Sequence, residues 1–184
     1  MILFARTLVL TLAVGMFFDV LRSSEALERP SMEQLIEAMR ADQITGLKKR
    51  SFDGNGRQCV YSTNTKLDGK QCEFDYGYRR NGTFTTQHFY CTLSDSDNGP
   101  VISVRSEKEQ GKQGHAREYT LRHLDIEERC GILTHREGVE ERCQQFVWSD
   151  YIEGEVPKCD KVYAQICKVQ NTQIVYESSC QESQ

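Results

Sequence analysis

Three patterns of hydrophobic and polar residues succeed one another along the chain, and each predicts a different kind of segment. The first is a block: Leu8 to Phe18 is almost wholly apolar and follows Arg6. It is too short and too weakly flanked for a membrane-spanning helix, and reads as the core of a secretory signal peptide. Ser24 and Ala26 stand at the −3 and −1 positions of a cleavage after Ala26, so residues 1–26 are expected to be the leader and 27–184 a single mature domain.

The second pattern has a helical period. Met32, Leu35, Ile36 and Met39 fall at i, i+3, i+4 and i+7, and Ser31 with Gln34 forms a capping box in front of them, which predicts one short amphipathic helix. Pro157 opens another such stretch, in which Cys159, Val162, Tyr163, Ile166 and Cys167 share a face. The two cysteines on that face stand about 12 Å apart along the axis, too far to bond each other, so each must reach a different strand.

Between Arg57 and about Phe146 the period falls to two. Short runs rich in Val, Tyr, Phe and Thr are separated by turn clusters such as Asp53-Gly54-Asn55-Gly56, Asp95 to Pro100 and Gly111 to Gly114. The clearest hairpin has Asn81-Gly82 at its tip, and a two-residue turn there sets Cys72 opposite Cys91, Phe74 opposite Phe89 and Tyr76 opposite Gln87. Facing Cα atoms in such a ladder lie about 4.5–5.5 Å apart, within disulfide range. Asn81-Gly82-Thr83 is also a glycosylation sequon, at a place where a glycan escapes burial. Thr172 to Tyr176 reads as a last short strand. A terminal helix, about eight strands, a second helix and a final strand suit a closed up-and-down barrel, with a β-sandwich as the alternative.

Charge and cysteine content narrow the function. With Lys+Arg 23 against Asp+Glu 27 the net charge is −4, which offers no basic field to nucleic acid. The cluster Lys48-Lys49-Arg50 reads as a solvated strand edge. Eight cysteines behind a leader predict four disulfides rather than metal ligands or a nucleophile, since their spacing matches no zinc motif. Nucleophile elbow, zinc-protease and phosphate-loop signatures are absent from the sequence, and no cofactor is expected. Asp95-Ser96-Asp97-Asn98-Gly99 mimics the start of a calcium loop, but its glycine comes early and position 12 is Ser106 rather than Glu.

The segment from Cys130 carries Cys130-Gly131-Ile132-Leu133, Cys143-Gln144-Gln145-Phe146-Val147, Asp150-Tyr151-Ile152, Val156-Pro157-Lys158-Cys159 and Val175-Tyr176 before Cys180. That order resembles the tick salivary lipocalins of the histamine-binding type, and the likeness reaches back through Arg40-Ala41-Asp42 and Cys59. The resemblance implies an all-β fold: an eight-stranded antiparallel lipocalin-type β-barrel with a short N-terminal helix and a disulfide-stapled C-terminal helix. It also implies the pairs Cys59–Cys180 and Cys130–Cys159, which leave Cys143 for Cys167 beside the Cys72–Cys91 hairpin pair. Relatives that look like amine binders carry acids where this chain has Gly131 and Gln144, so Asp42 is the acid that matches.

On this reading the protein is a secreted monomer that sequesters a small host mediator without catalysis, and binds neither nucleic acid nor membrane. A biogenic amine such as histamine or serotonin would be held by Asp42, Tyr76, Tyr119 and Trp148. An eicosanoid or fatty acid is the alternative ligand, favoured by the loss of two acids. A scaffold whose loops, Asp95 to Pro100 and Lys108 to His115, bind a host defence protein is the alternative of another class. Glu73, Asp75, His88 and Tyr90 are expected on the solvated face of their strands, with Phe74, Tyr76 and Phe89 inside.

Overall fold

The computed structural model describes residues 27–40, 43–107, 116–167 and 172–183. The proposed leader, Asp42 and the Lys108 to His115 loop lie outside the described residues. Antiparallel ladders join β1 (Ile44–Arg50), β2 (Gln58–Asp68), β3 (Gln71–Arg80), β4 (Thr83–Ser94), β5 (Val101–Ser106), β6 (Arg117–Asp125), β7 (Cys130–Glu137) and β8 (Glu140–Trp148) in chain order. β8 pairs with β1 and β1 with β2, which closes the barrel and removes its edges. A two-residue strand, β9 (Gln173–Ile174), adds to β1 at Lys49 and Arg50.

The Asn81-Gly82 turn adopts the left-handed backbone its residues favour, with φ of 51° and 78°. It sets Cys72 opposite Cys91 and Tyr76 opposite Gln87 through an unbroken register. Asn81 is exposed at that tip.

One end of the barrel is plugged. Helix α1 (Met32–Ala38) starts at Ser31, whose Oγ accepts from Gln34 N at 3.2 Å while Gln34 Oε1 accepts from Ser31 N at 2.8 Å. Such a box is worth about 1 kcal/mol. The helix lays Met32, Leu35 and Met39 against Cys72, Cys91, Leu93, Ile102 and Leu121 inside the barrel.

Helix α2 (Pro157–Cys167) lies on the outer face of β7 and β8, over Cys130, Ile132, Cys143 and Val147. Two of the four disulfides pin it, Cys130–Cys159 and Cys143–Cys167, and Cys59–Cys180 and Cys72–Cys91 complete the set. Among the described residues no helix is long and apolar enough to cross a membrane.

The Lys48-Lys49-Arg50 segment is a correction to the sequence reading. It is not a solvated edge, because β1 is flanked by β8, β2 and β9. Lys49 Nζ sits 2.7 Å from Asp160 and 4.6 Å from the centre of the Tyr163 ring under α2, and Lys48 Nζ donates to Gly154 O. Arg50 is buried inside the barrel.

Candidate ligand site

The barrel encloses a cavity of about 890 Å³. Strand alternation explains its lining. On β3 the inward series is Cys72, Phe74, Tyr76 and Tyr78, and on the facing β4 it includes Phe89 and Cys91. Glu73, Asp75 and His88 form an ion-paired cluster on the other face, as the charged series was expected to do. Beside α1 the wall is largely hydrocarbon, formed by Leu35, Met39, Phe74, Phe89, Ile102 and Leu121.

The end opposite α1 is bordered by the loop between β1 and β2, and it is cationic. Arg50, Arg57 and Arg117 all line the cavity. Arg50 acts as a brace: its Nε donates to Phe52 O and Gln173 Oε1, each at 3.1 Å, and its Nη2 to Arg57 O at 3.0 Å. Gly54 lies against that guanidinium, where a Cβ would come within 1.9 Å of it. Burial lowers the basicity of Arg50, although a guanidinium keeps its charge.

Arg57 and Arg117 each serve a tyrosine. Arg57 packs 4.8 Å over the Tyr78 ring and donates to Tyr76, leaving its own Nε buried without a partner. The charge interaction of Arg117 with Tyr119, followed by its hydrogen bond to that phenol, raises the Arg117 pKa. Burial drives the Tyr76 phenol up, the neighbouring guanidiniums only partly opposing this, so Tyr76 stays protonated. A phenol whose oxygen accepts from an arginine has its own proton free to give.

Both pairs line the same cavity. Behind Tyr119, His135 is buried with ring centres 5.0 Å from Tyr119 and 5.3 Å from Phe52. Its pKa is pushed down to about 4 by burial, helped by Arg117, so the ring is neutral near pH 7. Gln144, paired with Arg50 across the β1–β8 ladder, is buried and faces the cavity without a side-chain bond to a described residue.

Of the residues singled out in the sequence, Tyr76, Tyr119 and Trp148 line this cavity and Asp42 lies outside the described residues. Tyr76 and Tyr119 stand beside Arg57 and Arg117, whereas Trp148 is the last residue of β8, at the end of the barrel that α1 covers. Gly131 and Gln144 also line the cavity, so the positions that carry acids in amine-binding relatives point inward here without a charge. Among the described lining residues the acid is Glu107, which is exposed. Sequence reasoning missed Arg50, Arg57 and Arg117. Arg117-x-Tyr119-x-Leu121 is an alternating series that could have signalled one of them once Leu121 was assigned to the core.

A closed barrel with one plugged end, an ordered polar site at the other and an apolar chamber between them defines a lipocalin-type binder of a small molecule. Residues 35–182 match the family model described as tick histamine binding protein, and the chain belongs to that family. Among solved structures it is similar to Japanin from Rhipicephalus appendiculatus bound to cholesterol, at 17% identity and a TM-score of 0.58, covering 82% of this chain and 100% of that one. It is similar to AM182 in a serotonin complex at 20% identity and a TM-score of 0.60, covering 79% of this chain and 91% of that one. The siderocalin Ex-FABP matches at 9% identity with a TM-score of 0.55, covering 76% of this chain and 95% of that one. A search of curated protein sequences finds no significant match.

Proposed function

We propose that this chain is a secreted, stoichiometric binder of a small anionic amphiphile, a fatty acid or eicosanoid, rather than of an amine. The fold leaves the ligand open, since similar barrels hold cholesterol in one case and serotonin in another. The lining supports the choice. One observation carries it: two arginine–tyrosine pairs, Arg57 with Tyr76 and Arg117 with Tyr119, line the one cavity. Such a donor set suits a carboxylate, and charge-assisted hydrogen bonds are the strong kind.

An ammonium group brought there would lose its water beside like charge, with Glu107 at the surface as the acid of the described lining. The hydrocarbon wall beside α1 takes the tail. The amine reading keeps the family description and Asp42 in its favour. The leader and four disulfides support an extracellular site of action, and Asn81 is placed where a glycan would be harmless.

Calorimetric titration tests this with four ligands: a polyunsaturated fatty acid, its methyl ester, histamine and serotonin. The acid is expected to bind at least about tenfold more tightly than the ester, because the ester forfeits the charge-assisted bonds. Tighter binding of either amine than of the acid would overturn the proposal.

A further inference from the structure

We infer that the cavity is shaped for an amphiphile with hydrogen-bonding oxygens along one edge and hydrocarbon along the other; this rests on the anionic reading above and adds the chemistry of the rest of the ligand. The register carries the argument. Trp148 pairs with Thr45, Thr45 with Ser62, Ser62 with Tyr76, and Tyr76 with Gln87. All five side chains line the cavity.

Strands in a barrel tilt, so a row of paired residues climbs the wall as it crosses from strand to strand. This row starts at Trp148, the last residue of β8, and rises across β1, β2 and β3 to Gln87 on β4. It passes through Tyr76 of the cationic end, making one continuous polar stripe from floor to head site.

The stripe has unused hydrogen-bonding capacity. Neither the Thr45 nor the Ser62 hydroxyl bonds to another described residue, and neither is sealed from the cavity. Trp148 Nε1 is buried without a partner in the same row. Asn64, two residues beyond Ser62 on β2, donates its Nδ2 to Met39 O at 3.1 Å, which leaves its carbonyl oxygen for a ligand. Below Ser106 and the Arg117–Tyr119 pair of the head site, the opposite wall, on β5, β6 and β7, is Ile102, Val104, Leu121, Leu124 and Leu133 with Gly131.

A plain hydrocarbon chain laid in this chamber satisfies that wall and strips water from the stripe, leaving its hydroxyls unpaired. A ligand with oxygens on one edge satisfies both walls. Specificity built this way is strong, because the analogue lacking the oxygen is penalised by the groups it leaves bare.

The test uses matched acids that share a carboxylate and differ in hydroxyls: cholate against cholanate on a rigid frame, and a mid-chain hydroxystearate against stearate on a flexible one. Each is titrated into the disulfide-intact mature protein. At least one hydroxylated acid is expected to bind about tenfold more tightly than its bare partner, and the pair that shows this identifies the frame.

Thr45→Val combined with Ser62→Ala should shrink that preference to about twofold while the bare acid binds at least as tightly as to the parent, its penalty having been removed, which also shows that the barrel is intact. Equal or weaker binding of both hydroxylated acids would overturn the edge assignment alone, as would a preference that survives the double substitution. Failure of all four acids to bind would remove the anionic reading and this inference with it.

Discussion

His88 and His135 show how surroundings turn one side chain into two opposite pH responses. His88 lies on the outer face of the barrel, with Nδ1 2.7 Å from Asp75 and Nε2 3.3 Å from Glu73. The bond to Asp75, then that to Glu73, raises its pKa. His135 is buried behind the head site, and burial followed by Arg117 lowers its pKa to about 4. A raised value adds stability that is complete below the unfolded pKa, about 6.5, and is lost as pH rises through the folded one. A lowered value works the other way: His135 adds stability above about pH 6.5, lost as pH falls toward about 4. Denaturant unfolding between about pH 4 and pH 9 should therefore show His88→Gln flattening the alkaline side of the stability profile and His135→Phe flattening the acid side. A variant that left its own limb as steep as in the parent would refute the assignment for that residue.

Among the elements, α2 depends on groups far from it in sequence. Its first turn has backbone N–H groups to satisfy, and Glu128, from the turn between β6 and β7, accepts from Lys158 N and Cys159 N at 3.0 Å each. The carboxylate also meets the positive end of the helix dipole. Glu128→Ala should cost about 1–2 kcal/mol in reversible denaturation with the disulfides intact, whereas a change within about 0.3 kcal/mol would show that the two disulfides hold α2 unaided. This cap could not be read from the sequence, because it joins residues thirty positions apart through a fold not yet known. The β3–β4 hairpin is the contrary case. A two-residue turn fixes every facing pair, so Asn81-Gly82 was enough to set Cys72 opposite Cys91. β1 defeated the same logic, since its register slips between Leu47 and Lys49. The slip changes which side chains face inward, so Leu47 and Arg50 both line the cavity, and strict alternation cannot foresee it.

At the scale of the whole molecule, the barrel, its first helix and its stapled helix were legible because turns, periods and cysteine positions are local signals, whereas the plugging of the barrel by that first helix was not. The character of the cavity was not, because alternation says which residues share a face and not which face is inside. On β6 the series Arg117, Tyr119 and the series Glu118, Thr120 look equally suited to solvent until the barrel closes. Closure then places guanidiniums within the wall, where Arg50 braces the fold and Arg57 and Arg117 are the ones the proposed ligand would use. Arg57 makes this measurable, since its Nε is buried without a partner while its guanidinium lies over the Tyr78 ring. Methionine removes both the charge and the orphaned donor, and its thioether can replace the lost cation–π contact with a sulfur–aromatic one of similar size. Arg57→Met should therefore leave the unliganded protein within about 1 kcal/mol of the parent's stability, while weakening binding of a fatty-acid anion about tenfold or more and leaving its methyl ester unaffected. Stability lost in parallel with affinity would mean that Arg57 supports the loop between β1 and β2, and the carboxylate would then have to be held by Arg117 and Tyr119 without it.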